Sequence, residues 1–222
     1  MGFVFPKTPW LLKKAFSSYV WNLDEDEKVL YLTFDDGPTP LITEKALRIL
    51  EEFDAKATFF CIGDNVRKYP DEFQRVIDAG HSIGNHTYNH LKGWKTDNDV
   101  YIENTLEAET VIQRFPIPNQ EPKLFRPPYG KIGPLQGKAL QKLGYTIVMW
   151  DVVSYDWEAE INPETCLDNV LSNTNKGSII VFHDSVKASE NMLYALPKTL
   201  EYYKERGFEF KAITADTLAS TR

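Results

Sequence analysis

Cysteine is nearly absent: the 222 residues hold only Cys61 and Cys166, far apart and each in an apolar or helical context. That excludes a disulfide framework, which takes more cysteines in a smaller chain, and leaves two buried free thiols as the expectation. Positive charge is short as well. With 25 Lys and Arg against 32 Asp and Glu the net charge is −7, and no basic stripe interrupts it, so nucleic acid is excluded as the partner. No stretch approaches the roughly 18 apolar residues that a transmembrane helix needs. Internal repeats and low-complexity linkers are missing too, which argues for a single domain. The hydrophobic residues that are present, 42% of the chain, are enough for one sizeable core. A monomer is expected.

The opening is apolar yet broken. Residues 3–21 are interrupted by Lys7, Pro9, Lys13 and Lys14, so they lack the continuous core of a signal peptide. As written the chain reads as cytoplasmic, and as extracytoplasmic if it is a piece of a longer one. Trp10, Leu11, Phe16, Tyr19 and Val20 suit a helix packed under the domain. Residues 1–28 are therefore assigned as an N-terminal segment lying on a domain of residues 29–222. The rival is a shallow helix at a membrane surface with its lysines toward headgroups.

Against these absences stands a regular alternation. The run 29–34 (Val-Leu-Tyr-Leu-Thr-Phe) is apolar or β-branched on both sides, the mark of a buried parallel strand, and stops at Asp35, Asp36, Gly37 and Pro38. Helical periodicity over 43–53, 69–79, 100–115, 135–143, 163–172 and 191–206 alternates with strand-like runs at 57–62, 81–85, 145–150, 178–182 and 208–213. Strands and helices joined by short connections form βα units around a parallel sheet, and their number points to an α/β barrel or near-barrel.

Polar residues then gather where such a barrel keeps its site, at the carboxyl ends of strands. Asp35 and Asp36 are adjacent in extended chain and point opposite ways, so one can bind a cation while the other is free as a base. Of four histidines, His86 and His90 are spaced i, i+4, which on a helical turn puts both imidazoles on one face. With one carboxylate they make three ligands and leave a position open, as catalytic metal sites do. A hydrolase built there needs a base, for which Asp35 is available, and an acid, for which His183 is available. Arg126 could hold Asp35 ionised and aimed. His81 precedes its strand and reads as structural. Trp94 and Trp157 are candidates for stacking on pyranose rings, although Trp94 suits packing equally.

The segments Thr33-Phe34-Asp35-Asp36-Gly37-Pro38, His86-Thr87-Tyr88-Asn89-His90, Arg126-Pro127-Pro128-Tyr129-Gly130, Asp156-Trp157 and Val181-Phe182-His183-Asp184 resemble, in order and spacing, the five motifs of the NodB-homology polysaccharide deacetylases, carbohydrate esterase family 4. The resemblance covers nearly the whole chain, residues 29–218. It implies a distorted (β/α) barrel of seven or eight strands and metal-dependent removal of acetyl groups, usually from N-acetylated and sometimes from O-acetylated sugars. Carried over, it makes Asp35 the general base and Asp36, His86 and His90 the ligands of one divalent metal, zinc first, with Co, Ni or Mn as alternatives. The Tyr129 backbone N–H would face the oxyanion, and His183, tuned by Asp156, would protonate the leaving amine. Arg126 would tether Asp35, and Trp157 and Val181 would line the acetyl slot. An acetylated carbohydrate is then the partner, with peptidoglycan, chitin-type oligomers and xylan all open.

Two departures stand out. Val153 occupies a position where the family often has aspartate, with Asp151 two residues earlier, which bears on the partner of Arg126. Val181 replaces the usual leucine, a loss of about one methylene, worth about 1–3 kcal/mol in discrimination. The competing functions are an O-acetyl esterase using the same site, a carbohydrate-binding protein that has lost activity, and a two-metal phosphoesterase. The last needs a second carboxylate cluster that the sequence does not show.

Overall fold

A computed structural model describes residues 5–23, 26–118 and 121–220. Its centre is an all-parallel, eight-stranded sheet. The strands are β1 (Val29–Asp35), β2 (Ala57–Cys61), β3 (Ser82–Asn85), β4 (Lys123–Phe125), β5 (Tyr145–Ile147), β6 (Val152–Val153), β7 (Ile179–His183) and β8 (Glu209–Phe210). In space they run β5-β4-β3-β2-β1-β7-β6, with β8 beside the start of β1. The result is a curled, incomplete (β/α) barrel of one domain with β1 at its middle.

Every residue of β1 is buried, because the strand has cores on both sides. Leu30, Leu32 and Phe34 face the surrounding helices. There Phe34 stacks between Phe59 and Phe182 at 4.8 and 6.1 Å. Each such ring contributes about 1.5–3 kcal/mol by leaving water. Val29 and Tyr31 alternate inward, onto Phe60, Leu124, Val148 and Ile179. The same alternation turns Thr33 and Asp35 into the barrel, where only hydrogen-bonded polar groups are tolerated.

The outer layer includes α2 (Ile42–Glu52), α4 (Pro70–Asp78), α7 (Pro163–Leu171) and α8 (Ser189–Lys204), which supply Leu50, Val76, Val170 and Leu196 to the core. Between these, α3 (Gly63–Lys68), α5 (Asn98–Ile112) and α6 (Pro134–Lys142) complete the sequence of units. Cys61 and Cys166 are free and buried, and His81 accepts the Ala57 N–H on Nδ1 inside the fold.

β5 and β6 do not pair with each other, so the barrel has a seam, and the N-terminal segment lies in it. Lys7 bridges Val152, Val20 bridges Val148 and Asn22 bridges Ser178. Lys7 and Lys13 both reach the Asp151 carboxylate, at 2.6 and 2.5 Å, and Ser178 donates to it as well. The segment thus forms part of the barrel wall, a different arrangement from the packed helix expected. Among its described residues only α1 (Trp10–Ala15) is helical, and Trp10 and Leu11 are 62% and 71% exposed. Of those residues the segment buries Thr8, Trp21 and Leu23. The periodic pattern failed here because strand-like hydrogen bonds to β5 and β6, rather than an apolar helix face, hold the segment. Two strands are also shorter than expected. The run 145–150 is strand only to Ile147: the Val148 N–H still donates to the Phe125 carbonyl, but the Ile147 carbonyl and the Met149 N–H bond Val20 of the N-terminal segment, and 208–213 keeps only Glu209–Phe210.

Candidate active site

β1 ends at the centre of the sheet, and its last residue is Asp35. The carboxylate is buried, and Oδ1 accepts a 2.7 Å bond from Nη1 of Arg126. Arg126 leaves β4 and carries its guanidinium into the barrel interior, fully buried. Its Nη1 also donates to Thr33 Oγ1 at 2.7 Å, Nε to the Val148 carbonyl at 3.2 Å and Nη2 to the Met149 carbonyl at 2.8 Å. The plane lies 4.2 Å from the Phe60 ring. Burial pulls the Arg126 pKa below its ordinary value, and the Asp35 charge and hydrogen bond oppose that. Among the described residues two backbone carbonyls and a threonine, rather than a second aspartate, therefore share the guanidinium with Asp35. Asp151 is not that aspartate: it faces Lys7, Lys13 and Ser178 at the seam.

Asp36 turns the other way because its backbone is left-handed, with φ of 81°, a conformation Asp tolerates better than most residues. Its Oδ1 lies 3.2 Å from Nε2 of His90 and 3.8 Å from Nε2 of His86. One ligand atom from each of the three residues falls within 4.8 Å of the others. The His86 Nδ1–H donates to the Arg126 carbonyl at 2.7 Å, a bond that fixes the tautomer and leaves the Nε2 lone pair facing Asp36. Burial lowers the His86 pKa to about 4, so the ring is neutral at pH 7 and able to ligate. Burial pushes Asp36 up, but the hydrogen bond from His90 and the His183 charge pull it below the usual carboxylate range. Two imidazole nitrogens and one carboxylate oxygen match a divalent metal with an open position.

The two histidines converge, but not on a helix. Residues 86–92 are loop, and Thr87 and His90 have φ of 63° and 57°. Polar anchors hold this shape. Asn85 Oδ1 accepts the Thr87 N–H, while Asn104 Oδ1 on α5 accepts both the Tyr88 and Asn89 N–H groups. The i, i+4 spacing pointed to the right pair through the wrong backbone.

Across the site His183 ends β7, paired in register with Asp35. Its Nδ1 donates to Asp156 Oδ1 at 2.8 Å and its backbone N–H to Oδ2 at 2.7 Å. Burial alone would lower the His183 pKa. The Asp156 carboxylate, with Asp36 and Asp35, outweighs that and raises it to about 9. Trp157 stands edge-on to the His183 ring at 4.5 Å. Val181, two residues before His183 on the same strand face, is buried beneath it. Tyr129 closes the remaining side. Its backbone is left-handed at φ 59°, its ring is 4.5 Å from His90, and among the described residues its N–H has no acceptor.

Asp184 stands in the last of the five motifs, but sequence reasoning gave it no role. Its Oδ1 accepts the Gly37 N–H at 3.0 Å, Oδ2 accepts from Thr43 Oγ1 at 2.5 Å, and its own N–H donates to the Asp35 carbonyl at 3.2 Å. Burial raises its carboxyl pKa to about 7. A Cβ on Gly37 would meet Oδ2 at 2.0 Å, which is why glycine follows the two aspartates. Asp184 therefore clamps the turn that carries Asp36. A signal existed in the charged pair His183-Asp184 directly after an apolar strand.

The sequence profile of the polysaccharide deacetylases matches residues 22–148, more than half of the chain. The chain belongs to the polysaccharide deacetylase family. A peptidoglycan-N-acetylglucosamine deacetylase of Bacillus cereus is 34% identical over 209 residues, spanning 92% of this chain and 96% of that protein. A chitooligosaccharide deacetylase of Azorhizobium caulinodans is 31% identical over 78% of this chain and 81% of its own. The crystal structure of a peptidoglycan N-acetylglucosamine deacetylase in complex with 4-naphthalen-1-yl-N-oxidanyl-benzamide superposes with a TM-score of 0.84 at 32% identity, covering 95% of this chain and 96% of that one. This family member thus shares the carbohydrate esterase barrel almost end to end.

Proposed function

We propose that this chain is a metal-dependent hydrolase that removes acetyl groups from the N-acetylated sugars of a poly- or oligosaccharide. The observation that carries the reading is the convergence of Asp36, His86 and His90 beside a separate buried carboxylate, Asp35. Those three residues would hold one divalent cation, zinc first, with cobalt, nickel or manganese as alternatives. When bound, the cation supplies Lewis acidity, polarising an acyl oxygen and lowering the pKa of water.

The remaining work falls to side chains and one amide. Asp35 accepts the proton of the attacking water, held in aim by Arg126. The Tyr129 N–H points its dipole at the oxyanion that forms as the amide carbonyl becomes tetrahedral. His183 enters protonated, because Asp156 keeps it so, and passes its Nε2 proton to the departing nitrogen. The C–N bond then breaks to give acetate and a free amine. Trp157 and Val181 would border the space for the acetyl methyl.

Acetate release from N-acetylglucosamine oligomers by the zinc-loaded chain tests the reading. Activity that a chelator removes and Asp35→Asn reduces about 10²- to 10⁴-fold supports it. An inactive zinc-bound chain points instead to a carbohydrate-binding protein.

A further inference from the structure

The loops after β3 and β4 are fastened to each other at the mouth of the site, and what they display there is unusual for an acidic chain. Gly93 donates to the Lys131 carbonyl at 3.1 Å, and the buried Gln136 amide donates to the Gly93 and Thr96 carbonyls at 3.0 Å each. A Cβ on Gly93 would lie 2.5 Å from the Lys131 oxygen, so only glycine permits this approach. The Trp94 indole N–H is tied to the Ile132 carbonyl at 3.0 Å. The ring is therefore fixed from behind, yet the residue is 67% exposed. Tyr129, also fixed by its contact with His90, is 56% exposed.

Two lysines complete the arrangement reciprocally. The Lys92 ammonium from the first loop lies 4.6 Å from the Tyr129 ring of the second, and the Lys131 ammonium from the second lies 5.2 Å from the Trp94 ring of the first. Among the described residues neither lysine pairs with a carboxylate, although Asp97 and Asp99 follow closely in sequence. Lys95 adds a third cation to the same loop. Exposed aromatic faces suit the apolar faces of pyranose rings, but a neutral glycan would not need two ammonium groups held in place beside them. Fixed cations at the rim raise the local concentration of anions, and pre-ordering lowers the entropy lost on binding. Through Tyr129 the ledge runs up to His90, one of the three candidate metal-holding residues, and so borders the place where the acetylated sugar would lie.

We propose that Lys92, Trp94, Tyr129 and Lys131 form a subsite for a pyranose bearing a carboxylate, adjacent to the acetylated sugar. The inference deepens the de-N-acetylase reading and rests on it for the sugar, while the ledge itself can be tested without turnover. The carboxylate can sit on a lactyl ether or be that of a hexuronic acid, and the two sources are separate arms of the test.

The experiment measures binding to the zinc-loaded Asp35→Asn chain. The probes are N-acetylglucosamine oligomers alternating with a lactyl-ether sugar or with a hexuronic acid, and the carboxyl-reduced counterpart of each. At least one acid should bind about five- to tenfold more tightly than its reduced form, and about 0.5 M salt should abolish the difference. Lys92→Gln with Lys131→Gln should erase the preference, Lys92→Arg with Lys131→Arg should keep it, and Trp94→Ala should weaken acid and reduced forms alike. Equal binding of acid and reduced forms in both arms, or a preference that survives the double Gln variant, overturns the proposal. Absence of acetate release from every probe by the zinc-loaded wild-type chain, with the binding preference intact, refutes the hydrolase reading and leaves the ledge standing.

Discussion

Arg126 is where the account risks most on one side chain. Replacing it with methionine keeps most of its length and removes every donor. Asp35 then sits buried without its cation, and the Val148 and Met149 carbonyls with Thr33 Oγ1 lose their partner. Breaking a buried ion pair by removing one member costs about 3–5 kcal/mol, because the other charge stays behind. Against a total stability of about 5–15 kcal/mol this leaves a chain that folds with little to spare. Urea unfolding of wild type, Asp35→Asn, Arg126→Met and the double variant measures it. The double variant should regain about 1–3 kcal/mol over Arg126→Met, since an amide replaces the stranded carboxylate. Acetate release should stay low in both, because the base is misaimed in one and missing in the other. A loss under about 1 kcal/mol in Arg126→Met, or a double variant no more stable than the single, refutes the reasoning.

Three further outcomes follow from the same geometry. His183→Ala should lower kcat on an N-acetyl sugar about 10²- to 10⁴-fold and on an aryl acetate far less, since a phenolate leaves without a proton; equal losses contradict the acid role. His183 donates only while protonated, and its pKa is raised to about 9, so kcat/KM should fall as pH rises toward 9. Metal at Asp36 withdraws part of that support and sets the limb somewhat lower, and Asp156→Asn should move it lower again; an unmoved limb counts against the pairing. Asp184→Asn, which keeps the shape and weakens the clamp on Gly37, should lower zinc affinity about 10- to 100-fold while the fold persists, as read by metal titration and circular dichroism.

Much of the barrel was legible because its strands are local signals. The run 29–34 is apolar on both faces and ends at charges, and no tertiary knowledge is needed to see that it is central. The seam was not legible, since Val20 and Val148 or Lys7 and Asp151 are brought together by long-range pairing that leaves no trace in periodicity. Trp10 and Leu11 looked like a buried helix face for the same reason, and they are exposed. In the site, residue types carried the information and backbone did not. His86 and His90 converge through left-handed turns fixed by Asn85 and Asn104, and a buried Asn on the inner face of α5 was the available hint. The donor fork of Arg126 used main-chain carbonyls, which every residue has and no sequence advertises.

Zinc titration followed by calorimetry on the metal-free wild-type chain, alongside Asp36→Ala, His86→Ala, His90→Ala and Asp35→Asn, bears most directly on the central claim. The expected result is one zinc per wild-type chain, near-wild-type binding by Asp35→Asn, and binding lost in each of the other three. A wild-type chain that takes up no zinc, or one that holds it as tightly without His86 or His90, contradicts the account.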